Sequence, residues 1–227
     1  MYFLGIDIGG TTIKAGLVDD SGNVIETRKI PTIATDLTEF VAALSVLIAE
    51  FQKTAPISGI GIGIPGLLSA RTRTVETSPN IPCLRKANLE VLLTDLFHLP
   101  VTTENDANAG AYAEVVCGAA RGLEHAAYLT LGTGLGCGLV LHRKLFVGAS
   151  GYAGEFGHTT VEPNGRLCAC GNYGCLEVYV SGTGMLLTAH ELMQPPPAPG
   201  PLGAEQIYEA AMAGDAQARE VFRVTGR

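Results

Sequence analysis

The chain has 227 residues, enough for one large domain or two small ones. Hydrophobic residues make up 47% of it, and the net charge is −7 with no basic cluster, which argues against a nucleic-acid-binding surface. The N-terminus lacks the basic segment of a secretory signal, and no apolar run is long enough to span a bilayer. The sequence therefore predicts a soluble cytoplasmic protein with no membrane or nucleic-acid partner.

The first half of the chain predicts an α/β domain. Alternating apolar residues indicate five strands, at residues 2–8, 13–19, 24–30, 60–64 and 101–104. A helix with an apolar face follows the capping pair Asp36 and Glu39. A second helix is predicted from Asn88, and a third is capped by Asn105-Asp106. The apolar face of the second helix is predicted to consist of Leu89, Leu92, Leu93 and Leu96.

Near Gly118 the chain is expected to cross into a second domain, which gives domains 1–118 and 119–227. Strands are predicted at 126–131 and 138–141 around a glycine-rich loop, and helices after the last cysteine. The end of the chain predicts a Pro/Gly-rich connector at 195–203, a helix at 205–213 and another after Asp215. No stop signal precedes Arg227, so the last helix is expected to be cut off within the element.

Two glycine-rich turns, the first within Asp7–Lys14 and the second within Gly132–Gly138, suggest phosphate binding. Backbone amides exposed at such turns cradle phosphate oxygens; Lys14 would add positive charge, and Asp7 would hold Mg²⁺ through water. One such turn alone is more often a tight hairpin, whereas two such turns in different halves of the chain favour phosphate binding. Neither a P-loop nor a dinucleotide fingerprint is present. The candidate nucleotide-binding residues are Asp7, Gly9, Gly10, Thr11, Thr12, Lys14, Gly132, Thr133, Gly134 and Gly136.

The segment 155–177 carries a candidate metal site. Three thiolates and one imidazole complete a tetrahedral zinc set, with His158, Cys168, Cys170 and Cys175 as ligands. Reduced thiols, or a disulfide between Cys168 and Cys175, are the alternatives. The zinc set does not require Glu155 or Glu177, so these carboxylates are available to a ligand. The other three cysteines are expected to be small buried residues, namely Cys83, Cys117 and Cys137.

Taken together, the motifs resemble those of the ROK family of sugar kinases, and most of all its bacterial glucokinases. The resemblance rests on five segments in order, Asp7–Lys14, Glu104–Asn108, Gly132–Gly138, Glu155–His158 and Cys168–Glu177. It implies an α/β actin-like ATPase fold of the hexokinase type, RNase H-like, in two domains. It also implies ATP- and Mg²⁺-dependent phosphorylation of a hexose, glucose first, at the 6-hydroxyl, in a homodimer with structural zinc.

By family pattern, Asp106 is the catalytic base. The sugar-binding residues would be Asn80, Asn105, Asp106, Glu155, His158 and Glu177. Asp106 alone is more typical of a helix N-cap, and its place after Glu104-Asn105 favours catalysis. Zinc would fix the tautomer of His158 and leave its second nitrogen to the sugar.

The chain departs from the family in two ways. Relatives continue past Arg227, so the second domain is expected to be incomplete and to lack much of the adenosine pocket. Ile81-Pro82-Cys83 stands where many relatives carry an aromatic residue after the asparagine. The alternative functions are a kinase for another hexose or an N-acetylhexosamine, a non-catalytic sugar-binding regulator, and a truncated inactive paralogue.

Overall fold

A computed structural model describes residues 1–193 and 203–226 of the chain. Its strands are β1 (Tyr2–Ile8), β2 (Thr12–Asp19), β3 (Val24–Pro31), β4 (Ile57–Ile64), β5 (Leu67–Leu68), β6 (Val75–Thr77), β7 (Val101–Asn105), β8 (Ala126–Leu131), β9 (Leu135–Leu141) and β10 (Lys144–Leu145). Its helices are α1 (Leu37–Thr54), α2 (Leu89–Phe97), α3 (Asp106–Val116), α4 (Glu177–Val180), α5 (Gly182–Leu192), α6 (Ala204–Met212) and α7 (Ala216–Thr225). The predicted connector lies outside the described residues except for Gly203.

A five-stranded sheet in the order β3-β2-β1-β4-β7 forms the centre of the first half. Strands β1, β2 and β3 pair antiparallel as the predicted meander, whereas β4 pairs parallel with both β1 and β7. Alternate residues of the strands point into the core, as Leu4, Ile6 and Ile8 of β1 do. The five strands predicted for this half are all confirmed, to within a few residues at their ends.

Helix α1 covers this sheet with an apolar stripe. Its N-cap Asp36 accepts a hydrogen bond from the Glu39 backbone N–H at 2.9 Å, as the capping pattern predicted. The residues buried along the helix recur at helical spacing, and they are Phe40, Leu44, Leu47, Ile48 and Phe51. The large side chains of this stripe and of the sheet form the main core of the protein.

Helix α2 is present, but half of its predicted apolar face was wrong. Asn88 caps it as predicted, accepting a hydrogen bond from the Val91 N–H at 3.0 Å. Leu89 and Leu93 are buried, whereas Leu92 and Leu96 are 37% and 56% exposed. This nine-residue helix therefore covers the core with a narrow stripe, which a leucine-rich sequence does not reveal.

The parallel arrangement brings three strand ends to the same edge of the sheet. Strands β1, β4 and β7 run in the same direction and end at Ile8, Ile64 and Asn105. The connections that leave this edge are the first glycine turn, the Pro65-Gly66 turn and the start of α3. Ligand sites in α/β sheets form at the carboxyl ends of the strands, so this edge is where chemistry is expected.

The chain forms two compact units, residues 1–128 with 138–153, and residues 129–137 with those from 154 onward. A further sheet of three strands has the order β10-β9-β8. The predicted division near Gly118 stays a prediction about domains, but these units do not follow it. The reason lies in a small core that joins α3 to the end of the β9–β10 hairpin, formed by Ala111, Val115 and Val140.

In the second unit, α5, α6 and α7 share a core of small and β-branched residues. These are Ala189, Ile207, Ala211, Ala218 and Val221. The helix predicted at 205–213 is confirmed, and Asp215 caps α7 by accepting from two backbone N–H groups. Helix α7 ends at Thr225 with Gly226 as its C-cap, and the expectation that this helix is cut off stays a prediction. None of the helices in the described ranges is long and apolar enough to cross a membrane.

Candidate functional site

In the first unit, the first glycine turn lies against Asn80. The Gly9 N–H donates to the Thr12 carbonyl at 3.1 Å, and the Thr32 hydroxyl donates to the Gly9 carbonyl at 2.7 Å, so the turn is fixed from two sides. A β-carbon built on Gly10 would lie only 3.0 Å from Cβ of Asn80. The absence of a side chain at Gly10 therefore lets Asn80, a predicted sugar-binding residue, approach the predicted phosphate turn.

Asp7 and Asp106 come together across Gly63. Asp7 is the register partner of Lys14 on β2 and of Gly63 on β4. A β-carbon on Gly63 would lie 3.6 Å from Cα of Asp106, an ordinary contact distance, so Gly63 and the start of α3 are neighbours. The negative charge of Asp7 contributes to raising the pKa of Asp106. The structure thus groups the predicted Mg²⁺ residue with the predicted base.

The cap of α3 is Asn105, not Asp106. The Asn105 Oδ1 accepts the Asn108 N–H at 3.1 Å, and its Nδ2 donates to the Gly66 carbonyl at 3.1 Å. Asp106 is the first residue of the helix, and its Oδ1 accepts the neighbouring Ala107 N–H at 2.9 Å. The N-cap interpretation of Asp106 was therefore wrong. Asn105, predicted to bind sugar, uses its side-chain amide to cap α3 and to bind the Gly66 carbonyl.

Asp106 has the electrostatics of a proton acceptor. Although the residue is exposed, protein around its carboxylate partly excludes water, which raises the pKa first, and the charge of Asp7 raises it further. A carboxylate with a raised pKa is a better base towards a hydroxyl than an ordinary aspartate.

A network behind this site was missed by the sequence analysis. Glu104 Oε1 accepts the Asn105 N–H at 3.0 Å and Asn108 Nδ2 at 3.1 Å, and its Oε2 lies 3.7 Å from Nη2 of Arg73. The Arg73 Nε also donates to Glu90 at 3.2 Å. Glu104 stands in a motif that sequence analysis had found, whereas Arg73 and Glu90 are brought in by long-range contacts that have no local signal.

In the second unit, the turn within the glycine-rich segment is shorter than predicted. Only residues 132–134 form the turn, because β9 begins at Leu135 and contains Gly136 and Gly138. A β-carbon on Gly138 would lie 2.5 Å from Cβ of Ala111. Gly138 is thus required for packing in the first unit, and Gly136, predicted to bind nucleotide, lies in a strand.

Glu177 is attached to the second glycine turn. Its Oε2 accepts the Leu135 backbone N–H at 2.8 Å. A β-carbon on Gly134 would overlap this carboxylate and lie 3.2 Å from its Cδ. Gly157 also packs on Leu135, since a β-carbon there would overlap the Leu135 carbonyl oxygen. Leu135 therefore joins the Glu155–His158 segment, Glu177 and the turn.

The start of α5 also contacts this turn, which the sequence analysis missed. The Gly182 N–H donates to the Gly132 carbonyl at 2.8 Å, and the Thr183 hydroxyl donates to the Thr133 carbonyl at 2.8 Å. Ser181 caps the helix by accepting the Gly184 N–H at 3.1 Å. Serine before Gly-Thr-Gly is a capping signal that could have been found, but not its contact with a turn fifty residues away.

The four predicted zinc ligands lie together. Their ligand atoms are all within 4.8 Å of one another. Cys168 Sγ lies 3.6 Å from Nδ1 of His158, and Cys170 Sγ lies 3.7 Å from Sγ of Cys175. Ligands held about 2.0–2.3 Å from a tetrahedral zinc ion are about 3.5–3.8 Å apart, so the spacing fits the ion. All six cysteines are free, which does not support the disulfide alternative.

The pKa values of two of the three thiols in this cluster are raised. Burial first, then the neighbouring thiols, raise the pKa of Cys175 to about 12. Burial also raises the pKa of Cys168, whereas the backbone N–H of Asn172 lowers that of Cys170. Buried thiols become thiolates when a metal ion compensates their charge, which is the chemistry of a structural zinc site.

The two nitrogens of His158 face different groups. Nδ1 lies beside Cys168, while Nε2 lies 3.8 Å from Oε2 of Glu155. A metal ion bound at Nδ1 would leave the proton on Nε2, directed towards the Glu155 side. The Glu155–His158 segment could therefore present a donor and a carboxylate together to a ligand.

Two further observations concern side chains outside these sites. Glu124, His125 and His142 form a second, exposed group of possible metal ligands. However, the His142 N–H donates to Nδ1 of His125 at 3.2 Å, which keeps the proton of the neutral ring on Nε2 and disfavours metal binding. Cys117 is exposed, so the expectation that it would be buried was wrong, whereas Cys137 is buried as expected.

The fold is that of an actin-like ATPase of the sugar-kinase type. The chain belongs to the ROK family, whose family model matches residues 3–227. It is 40% identical over 188 residues to a glucokinase of Streptomyces coelicolor, covering 83% of this chain and 59% of that protein. The crystal structure of a ROK family glucokinase from Streptomyces griseus, in complex with glucose and AMPPNP, is 35% identical. It matches with a TM-score of 0.84 over 99% of this chain and 75% of that one.

Regulators are among the relatives as well. The xylose repressor of Bacillus subtilis is 36% identical over 192 residues, which cover 82% of this chain and 49% of the repressor. The chain thus spans about three fifths of the Streptomyces coelicolor glucokinase and about half of this repressor.

Proposed function

We propose that the protein carrying this chain is an ATP-dependent hexose kinase that phosphorylates glucose at its 6-hydroxyl. The observation that carries the proposal is the position of Asp106, at the start of α3 beside Asp7 and with a raised pKa. Similarity to glucokinases supports the kinase class and the choice of glucose.

In this mechanism, Asp106 accepts the proton of the sugar hydroxyl as its oxygen attacks the γ-phosphorus. A bond forms between O6 and that phosphorus while the bond to the β–γ bridging oxygen breaks, and ADP leaves. Phosphoryl transfer has a loose transition state, so the protein contributes positioning and charge stabilisation. General-base assistance adds roughly 10²- to 10⁴-fold to the rate.

Other residues of the chain position the reactants. Asp7 would hold Mg²⁺, which neutralises charge on the phosphates. The amides of the two glycine turns would bind phosphate oxygens, and Lys14 would add charge. Asn80, Glu155 and Glu177 would orient the sugar, with a zinc ion at the cysteines holding His158 in its tautomer. These roles are proposed from the contacts described above and from family membership.

A coupled ADP-release assay on the intact protein tests the proposal. Glucose, mannose, fructose, N-acetylglucosamine and N-acetylmannosamine are compared at equal concentration, with ATP and Mg²⁺ and a control without sugar. The expected result is sugar-dependent ADP release, fastest with glucose. A faster rate with an N-acetylhexosamine would make that sugar, rather than glucose, the preferred substrate. The absence of sugar-dependent ADP release with all of these sugars would overturn the proposal of a kinase.

The second candidate is a sugar-binding regulator, because of the similarity to the xylose repressor. A regulator of this kind would bind sugar without phosphorylating it. Sugar binding by calorimetry, no ADP release in response to sugar and sequence-specific retention of DNA on a gel would together favour it over the kinase.

A further inference from the structure

The Arg166 guanidinium uses all five of its N–H donors within the second unit. Nη1 donates to the carbonyls of Val178 at 2.9 Å and Gly184 at 3.2 Å. Nη2 donates to the Thr188 hydroxyl at 2.9 Å and to Glu191 Oε2 at 2.6 Å, and Nε donates to Glu191 Oε1 at 3.1 Å. The side chain is only 15% exposed, so its bonds to Val178, Gly184 and Thr188 are partly shielded from water, whereas the two to Glu191 are exposed.

Arg166 also connects the cysteine segment to α4. It lies two residues before Cys168, and its backbone N–H donates to the Tyr179 hydroxyl at 2.9 Å. Its guanidinium stacks over the ring of Tyr179, 4.9 Å from the ring centre. Arg166 therefore connects the start of the cysteine segment to two helices. It contacts α4 at Val178 and Tyr179, and α5 at Gly184 and Thr188.

Helix α4 depends on such contacts. It has only four residues, and no side chain caps its N-terminus. A single helical turn is not stable by itself, so its position has to come from tertiary contacts. The same helix begins with Glu177, whose carboxylate accepts the Leu135 N–H beside the second glycine turn. A shift of α4 would therefore move Glu177 on that turn.

We propose that Arg166 is a positioning residue that sets α4, and thereby holds the Glu177 carboxylate on Leu135. It links the cysteine cluster to the glycine turn through α4. The consequence for sugar binding rests on the proposed kinase function, whereas the consequence for the Leu135 hydrogen bond does not. Lysine would keep the positive charge, but its single ammonium group cannot reach two carbonyls, a hydroxyl and a carboxylate in this planar arrangement.

The test compares Arg166→Lys with Arg219→Lys in the intact protein. Arg219 is a matched control, because it also donates to a backbone carbonyl of this unit, that of Ala211 at 3.0 Å, but lies on α7. Amide hydrogen exchange at Leu135 is the main readout, followed by NMR or mass spectrometry. Arg166→Lys is expected to speed this exchange about tenfold or more, and Arg219→Lys to leave it unchanged.

Two further measurements complete the test. Arg166→Lys should raise KM for the hexose about tenfold with a smaller change in kcat, because it misplaces a binding group rather than the base. Thr188→Val, nearly isosteric, removes one acceptor of Arg166 and should speed Leu135 exchange by a smaller factor, which keeps the test valid if Arg166→Lys does not fold. The proposal would be overturned if the Leu135 amide exchanged in Arg166→Lys at the same rate as in the wild type. If Arg166→Lys does not fold, the same result in Thr188→Val would overturn it. A wild-type protein without kinase activity would overturn the proposed function alone.

Discussion

Replacing Gly134 with alanine should displace the Glu177 carboxylate, whereas the same change at Gly132 should not. A β-carbon at residue 134 would overlap Oε2 of Glu177, but a β-carbon at residue 132 meets nothing within 4 Å. Neither glycine has a positive φ, so alanine is compatible with both backbones. The two variants therefore differ in the contact with Glu177 and not in backbone strain.

The size of the effect follows from the hydrogen bond that is lost. The far end of a glutamate side chain moves easily, so the overlap itself costs little, but the bond between the Glu177 Oε2 and the Leu135 N–H is broken. Bonds to charged groups contribute about 1.5–3 kcal/mol, and the lower part of that range applies because Glu177 is only half-buried. About 1.5–2 kcal/mol corresponds to roughly 10- to 30-fold weaker binding of a ligand that needs this carboxylate in place.

Calorimetric titration with glucose, without nucleotide, measures this effect. Gly134→Ala should bind glucose about 10- to 30-fold more weakly than the wild type, and Gly132→Ala should bind it normally. Urea unfolding serves as the control for folding: Gly134→Ala should lose about 1 kcal/mol, and Gly132→Ala should be unchanged or slightly more stable. Equal glucose affinities for the two variants would refute the role given to Glu177.

Three other predictions concern stability, metal and pH. Glu90→Ala should lower the free energy of unfolding by about 1–3 kcal/mol, because the buried Thr103 N–H and hydroxyl lose their acceptor. The control is Glu76→Ala, since Glu76 is exposed. Equal urea midpoints for the two variants would contradict the prediction. Protein purified without added metal should contain about one zinc per chain. Cys170→Ser should lose both zinc and sugar affinity, whereas Cys117→Ser, at an exposed cysteine outside the cluster, should keep both. Loss of zinc with normal sugar affinity would show that sugar binding does not depend on the metal. The acidic limb of kcat/KM should lie above the ordinary aspartate pKa, since Asp106 must be ionised to act and its pKa is raised; a limb at the ordinary value would exclude that assignment.

Local patterns predicted the parts of this protein that depend on local chemistry. The strands of the first sheet follow from alternating apolar residues, and the cluster of three cysteines and a histidine follows from their close spacing. Both signals lie within short stretches of chain, so tertiary structure was not needed to read them.

The errors arose where a residue's role depends on distant parts of the chain. Gly138 looked like part of a turn, but its purpose is close packing of β9 on Ala111. Arg166 carried no motif, and its five acceptors lie 12 to 25 residues along the chain. The exposure of Leu92 likewise depends on which stripe of α2 meets the core, which the leucine spacing alone does not decide.

The central claim is that Asp106 accepts the proton of the sugar hydroxyl, and Asp106→Asn tests it most directly. Asparagine keeps the shape of the side chain and a hydrogen-bond acceptor but removes the base. Steady-state ADP release and glucose titration on the same preparation should show kcat lower by roughly 10²- to 10⁴-fold, with the glucose Kd within about threefold of wild type. A kcat close to wild type would contradict the account.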